Sequence, residues 1–149
     1  MKKAADVLKD FGVEYKAFII SAHRAGELLR ETVTQVEKDG FEVIIAGAGL
    51  AAALPGVIAG MTTLPVIGVP LECISEKSNG LGGMDALLSI VQMPPQIPVA
   101  TVGIGNAKNA GYLAAQILAI KYPEIKEKLK AFRAKLAEDA KANGLDVAL

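Results

Sequence analysis

The stretch from Val43 to Leu71 carries no charged residue, and no other feature of the chain constrains its fold as strongly. An apolar run longer than about 20 residues can cross a bilayer as a single helix. Here Gly47, Gly49, Pro55, Gly56, Gly60, Pro65, Gly68 and Pro70 cut the run into pieces of strand and short-helix length, since proline removes a helix hydrogen bond and glycine loosens the backbone. Many of the remaining residues are weakly hydrophobic alanines. The stretch therefore reads as strands and a helix of a buried α/β core, and no membrane partner is expected.

The flanking sequence alternates in the same way. Ala4, Ala5, Val7, Leu8 and Phe11 fall at helical spacing among lysines and aspartates, which predicts an amphipathic helix over 2–11 that ends at Gly12. Tyr15 to Ile20 is predicted as a strand running into Ser21, and 25–39 as a helix capped by Gly40. Phe41 to Ala46 is the next strand, followed by a turn at Gly47-Ala48-Gly49. A short helix over 51–60 contains Pro55, and Leu64 to Val69 is again strand. A long loop reaches Gly83, then 84–93 is helical, Val99 to Ile104 is strand, and Asn106 is placed to cap a helix over 107–120. Pro123 opens a last helix supported by the pairs Glu124 with Lys128 and Glu127 with Lys130.

Strands alternating with helices imply parallel pairing and right-handed crossovers, a three-layer αβα sandwich formed by a single domain over 1–149. In such a fold a ligand belongs outside the carboxyl ends of the strands. The residues predicted there are Ser21 to Arg24, Gly47 to Ala53, Pro70 to Gly83 and Gly105 to Asn109.

Charge narrows the partners. The 16 basic and 16 acidic side chains cancel, which excludes the electrostatic footprint of a nucleic-acid binder. A hydrophobic content of 52% is more than so small a domain can bury alone, so burial between subunits is expected. Cys73 is the one cysteine, too few for an internal disulfide. With no secretory signal at the start, this points to the cytoplasm. Glu72 and Glu76 beside Cys73 would raise its thiol pKa and blunt it as a nucleophile.

Ser21-Ala22-His23-Arg24 holds the only histidine of the chain, at a predicted strand-to-helix junction. An imidazole there could exchange a proton near neutral pH while Arg24 holds a phosphate through paired donors. The same histidine could equally serve as a helix cap. The Gly47-Ala48-Gly49 turn would let backbone approach a ligand and aim helix amides at an anion, or it could answer only to close packing. Two more glycine-bearing loops, 78–83 and 105–109, are predicted on the same rim. Met61, Met84 and Met93 read as packing residues, Asp85 as a helix cap, and one histidine far from one cysteine makes no metal site.

Taken together, these stretches resemble the PurE family, the carboxyaminoimidazole ribonucleotide mutases and aminoimidazole ribonucleotide carboxylases. The resemblance rests on Ser21-Ala22-His23-Arg24, on Ile44 to Gly49 with Leu54-Pro55-Gly56, and on Pro65 to Pro70. It continues through Asp85 to Pro94, Ile97 to Val102, Ile104 to Ala107 and Asn109-Ala110. It implies a flavodoxin-like subunit in a homo-octamer, a small ribonucleotide substrate and no cofactor. His23 would shuttle a ring proton as the catalytic acid and base. Ser21, Ala22, Arg24, Gly47, Ala48, Gly49 and Leu54 would bind the substrate, with Arg24 on its phosphate.

Three departures from the family pattern qualify what it implies. The family opens with a strand and a Gly-Ser-x-Ser-Asp phosphate loop, whereas this chain starts at Met1 inside the corresponding first helix. A gap is therefore expected between the Tyr15 and Val43 strands. Leu50 stands where the family has glycine and Ala53 where it has histidine, and the loop over 71–83 is longer than usual. These changes leave a second reading open, a non-catalytic relative that binds a phosphorylated small molecule or a protein partner.

Overall fold

The structure, a computed structural model, describes residues 1–75 and 78–144. Its elements in chain order are α1 (Lys2–Asp10), α2 (Gly26–Lys38), β1 (Ile44–Gly49), α3 (Leu54–Ala59), β2 (Val66–Leu71), β3 (Ile74–Ser75), β4 (Ser78–Asn79), α4 (Met84–Val91), β5 (Ala100–Thr101), α5 (Ala107–Leu118) and α6 (Pro123–Gly144). The main sheet is parallel, in the order β1-β2-β5, and β3 and β4 form a separate antiparallel pair within the loop after β2.

Side chains along a strand point alternately to its two faces, and that alternation sorts the helices into layers. Ile45, Ile67, Val69 and Leu71 pack with Ala4 and Leu8 of α1 and Ala107, Ala110 and Ala114 of α5. The intervening Ile44, Ala46 and Val66 meet Leu29 and Val33 of α2 and Ile58 of α3, while Ala48 meets Ala86 and Ile90 of α4. Helices thus cover both faces of a three-stranded parallel sheet, the three-layer arrangement expected. α6 closes over the ends of α1 and α5, where Phe11, Tyr112 and Phe132 stack edge to face and face to face.

Small residues set the layer spacing. A Cβ on Gly68 would overlap Ile90 Cγ2 and come within 2.9 Å of Val99 Cγ1, so glycine lets α4 lie against β2. Gly111 plays the same part for α1 on α5, since a Cβ there would lie 2.9 Å from the Ala4 carbonyl oxygen.

The helices follow their sequence signals. Gly40 takes φ +81 and its N–H bonds to the Glu37 carbonyl, ending α2. Asn106 Oδ1 accepts the Asn109 N–H at 3.1 Å, capping α5.

The strands depart from expectation in three places. Tyr15 to Ile20 is not a strand: no backbone hydrogen bond joins residues 14–20 to any described residue. A strand needs an adjacent edge, and this segment has none. Gly47-Ala48-Gly49 is not a turn but the second half of β1, paired with Val69, Pro70 and Leu71. The strand expected over 99–104 is reduced to Ala100 and Thr101. Two side chains also differ. Lys128 donates to the Phe11 carbonyl at 3.0 Å instead of pairing with Glu124, whereas Lys130 does pair with Glu127 at 2.7 Å. Asp85 lies in the first turn of α4 but does not cap it, because the cap position is Gly83 at φ +85.

Candidate functional site

Residues 21–25 leave the unpaired 14–20 segment in a tight turn. The Ser21 carbonyl accepts the N–H groups of Arg24 at 3.3 Å and Ala25 at 2.9 Å, and α2 begins one residue later. Ala22 is half-buried and packs, with Ile20 and Leu54, onto the cluster that contains Ala46 of β1. This contact brings the Ser21-to-Arg24 turn together with β1 and the start of α3. His23 and Arg24 point away from it: both are exposed, and neither side chain bonds to a described residue. The backbone of this turn is held and its two polar heads are left available.

Gly47, Ala48 and Gly49 line the end of the strand, each for a different neighbour. A Cβ on Gly47 would lie 2.6 Å from Met1 Sδ, and one on Gly49 would overlap Cys73 Sγ. Ala48 packs on the opposite face with Ala52, Ala86 and Ile90. The chain turns one step later, at Leu50, which is exposed and adopts φ +56. A branched residue rarely takes this conformation, because its Cβ crowds the following carbonyl. Gly82, Gly83 and Gly105 adopt positive φ in the loops at the ends of β2 and β5.

Two carboxylates that sequence reasoning had assigned no role stand on this rim. Glu72 follows directly on β2, with its side chain 3.4 Å from a Cβ position on Gly83 and 3.9 Å from one on Gly105. Asp85 Oδ2 lies 3.6 Å from a Cβ position on Gly80, which Leu50 also approaches at 3.2 Å. The available signal was positional: Glu72 is the first polar residue after a fully apolar strand. Glu76 and Lys77, expected to shape the same loop, lie outside the described residues.

The titrating groups that depart from ordinary behaviour sit elsewhere. Hydrogen bonds from Lys16 and then Gln35 hold the Asp39 carboxyl below its usual range. Lys121 and then Tyr122, each at 2.7 Å, do the same to Glu42. Both pairs lie just before β1, at the opposite end of the strand from the rim, and they brace the fold. Among the described residues no group of three His, Cys, Asp or Glu side chains is placed to hold a metal ion, and no helix is long and apolar enough to cross a membrane.

Comparison with known proteins connects this rim to a family. The description of AIR carboxylase matches residues 1–139. The chain belongs to the AIR carboxylase family. Among its relatives is an N5-carboxyaminoimidazole ribonucleotide mutase of Pyrococcus abyssi, 63% identical over 133 residues, covering 89% of this chain and 74% of the relative. A mutase of the same name from Saccharolobus solfataricus is 51% identical over 146 residues, covering 98% of this chain and 89% of the relative. The crystal structure of Treponema denticola PurE superposes with a TM-score of 0.83 at 28% identity, over 99% of this chain and 89% of that one. The family resemblance drawn from Ser21 to Ala110 is thus confirmed, and so is the αβα fold it implied.

Proposed function

We propose that this chain is a purine-biosynthesis enzyme that interconverts carboxylated aminoimidazole ribonucleotides, the N5-carboxyaminoimidazole ribonucleotide mutase reaction, with His23 as acid and base. The supporting observation is the sustained identity to mutases, 63% and 51% in two relatives that span most of the chain. In the reaction the carbamate N–C bond breaks and releases carbon dioxide, leaving its electron pair on the amine nitrogen. A ring carbon of the aminoimidazole then attacks the carbon dioxide and forms a C–C bond. His23 takes the proton that this carbon loses, and a proton returns to the amine, so the reaction is an isomerisation overall. A neutral imidazole suits both transfers near pH 7. Holding carbon dioxide beside its acceptor replaces a bimolecular encounter with an intramolecular one, and well-oriented reactants of that kind behave as if at about 10⁵ M or more.

Arg24 is assigned to the substrate phosphate, where its planar fork supplies paired donors. Ser21, Ala22, Gly47, Ala48, Gly49 and Leu54 are assigned to the pocket wall. The enzyme is placed in the cytoplasm and in a homo-octamer. Exposed apolar side chains on one face of α4, Met84, Leu88 and Val91, together with Leu81, support burial between copies.

The test is His23→Asn. Its side chain is exposed and without partners, so thermal stability is expected to stay unchanged while interconversion falls about 10²- to 10⁴-fold. Interconversion as fast as the parent's would remove His23 from the mechanism. Calorimetry with aminoimidazole ribonucleotide, run on the parent, separates the rival class: tight binding with no turnover would mark a binding protein.

A further inference from the structure

We propose that the cleft between β1 and residues 14–20 is a strand-acceptor site, filled by an extended apolar segment of polypeptide joined ahead of Met1 and running parallel to β1. The proposal concerns how the sheet is completed and stands independently of the reaction assigned above.

One wall is the free edge of β1. The Ile44 N–H is donated to the Pro65 carbonyl on β2 at 3.0 Å. Backbone groups of successive strand residues point to opposite sides, so the N–H and C=O groups of Ile45 and Gly47 face away from β2. No described residue bonds to them there. Sheet edges of this kind are ordinarily blunted by charge, proline or a covering element, and Ile44-Ile45-Ala46-Gly47 has none of these.

The other wall is the 14–20 segment, whose backbone is unpaired throughout. Lys16 bonds to Asp39 and lies over the Phe41 ring, while Ile20 packs beside Ala46. The segment therefore runs in the same direction as β1. Two unpaired edges of one direction thus flank a cleft of about 1250 Å³, with apolar side chains on both faces: Ala4 and Leu8 from α1, and Leu29, Val33 and Ile58 from α2 and α3. A strand between them would alternate its side chains into the two layers, which requires a continuous apolar run.

The source follows from α1. Met1 lies beside Gly47 in the second half of β1, and the helix descends to Val13 near Phe41 at the opposite end. A segment ascending the cleft parallel to β1 therefore ends where α1 begins. The crossover through α1 to 14–20 would move away from β1 on the α1 face, whereas β1 to β2 moves the other way with α3 on the opposite face. The two reversals cancel, so both connections have the same hand, as parallel crossovers require. The mutase relatives extend beyond the part shared with this chain, which spans 74% of the Pyrococcus abyssi protein, so the family contains additional polypeptide.

The experiment extends the chain ahead of Met1 with Lys-Val-Val-Ile-Ile-Val-Gly-Ser-Gly-Ser. It is compared with the same extension carrying aspartates in place of the two isoleucines, and with the 149-residue chain alone or mixed with the free peptide. Amide exchange is read by NMR at Ile45 and Gly47. We expect both amides to exchange at least about tenfold more slowly in the apolar extension than in the aspartate variant. Equal exchange in the two, or a collapsed spectrum of the apolar extension beside a dispersed one of the 149-residue chain, overturns the proposal. Concentration-dependent protection in the unextended chain would assign the cleft to a second copy, and equal protection by free peptide would assign it to a separate donor. Either result overturns the proposed source.

Discussion

Replacing Gly68 by alanine tests whether the spacing between β2 and α4 is set by one missing methyl group. The added Cβ would overlap Ile90 Cγ2 and reach 2.9 Å from Val99 Cγ1, and Ile90 is fully buried. Overpacking of this kind costs about 1–3 kcal/mol. The lower backbone entropy of unfolded alanine offsets about 0.5 kcal/mol of it. Ile90→Ala alone removes a fully buried side chain and is expected to cost about 2–5 kcal/mol. In the double variant the methyl on residue 68 enters space that Ile90 has vacated, so the overlap disappears and part of the cavity is filled. The two losses should then fall short of additivity by about 1–2 kcal/mol. Urea unfolding at a fixed protomer concentration measures this. With a slope of about 2 kcal/mol/M, the single Gly68→Ala change lowers the midpoint by about 0.5–1 M. Additivity within about 0.3 kcal/mol would refute the claim that Ile90 is what Gly68 accommodates.

Three further outcomes are expected. Asn106→Ala removes the side-chain acceptor for the Asn109 N–H and should lower unfolding stability by about 1 kcal/mol, with Asn106→Asp close to the parent. At Leu50, held at φ +56, Leu50→Val should destabilise by about 1–2 kcal/mol because branching at Cβ worsens the crowding, whereas Leu50→Asn should not; equal effects in thermal melts would contradict a left-handed backbone there. For Glu42, the folded carboxyl titrates below its usual range because Lys121 and Tyr122 bond to it, so its contribution is present at neutral pH and is lost as pH falls through that lowered value. Lys121 is raised by the same pair, so its share is lost only as pH rises through its own raised value. Melting temperatures of Glu42→Gln and the parent should therefore differ at pH 7 and converge in strong acid, and a constant offset across that range would show the pair to be inert.

Much of the candidate site was legible before any coordinates. Ser21-Ala22-His23-Arg24 stood out because a lone histidine and an arginine at a strand-to-helix junction are few in kind and short in range. The structure does place that turn against β1, through Ala22 and Leu54. The strained backbone of Leu50 was not legible, because its φ depends on where β1 ends, and the glycines that suggested a turn are strand residues paired with β2. Nor was the rim position of Glu72, which is set by the path of the loop after β2.

The chain's own residues determined the helices, their caps and the αβ alternation. Helix hydrogen bonds join residues four apart, and Gly40 and Asn106 end or start a helix with groups from the same few residues. Strands answer to a different rule, since each backbone group must find its partner on a segment distant in sequence. Tyr15 to Ile20 has the composition of a strand and lacks the neighbour, whereas Gly47 to Gly49 has the composition of a turn and gains one in Val69 to Leu71. Only the tertiary arrangement could decide between them, because the partner edge exists only once the layers have assembled.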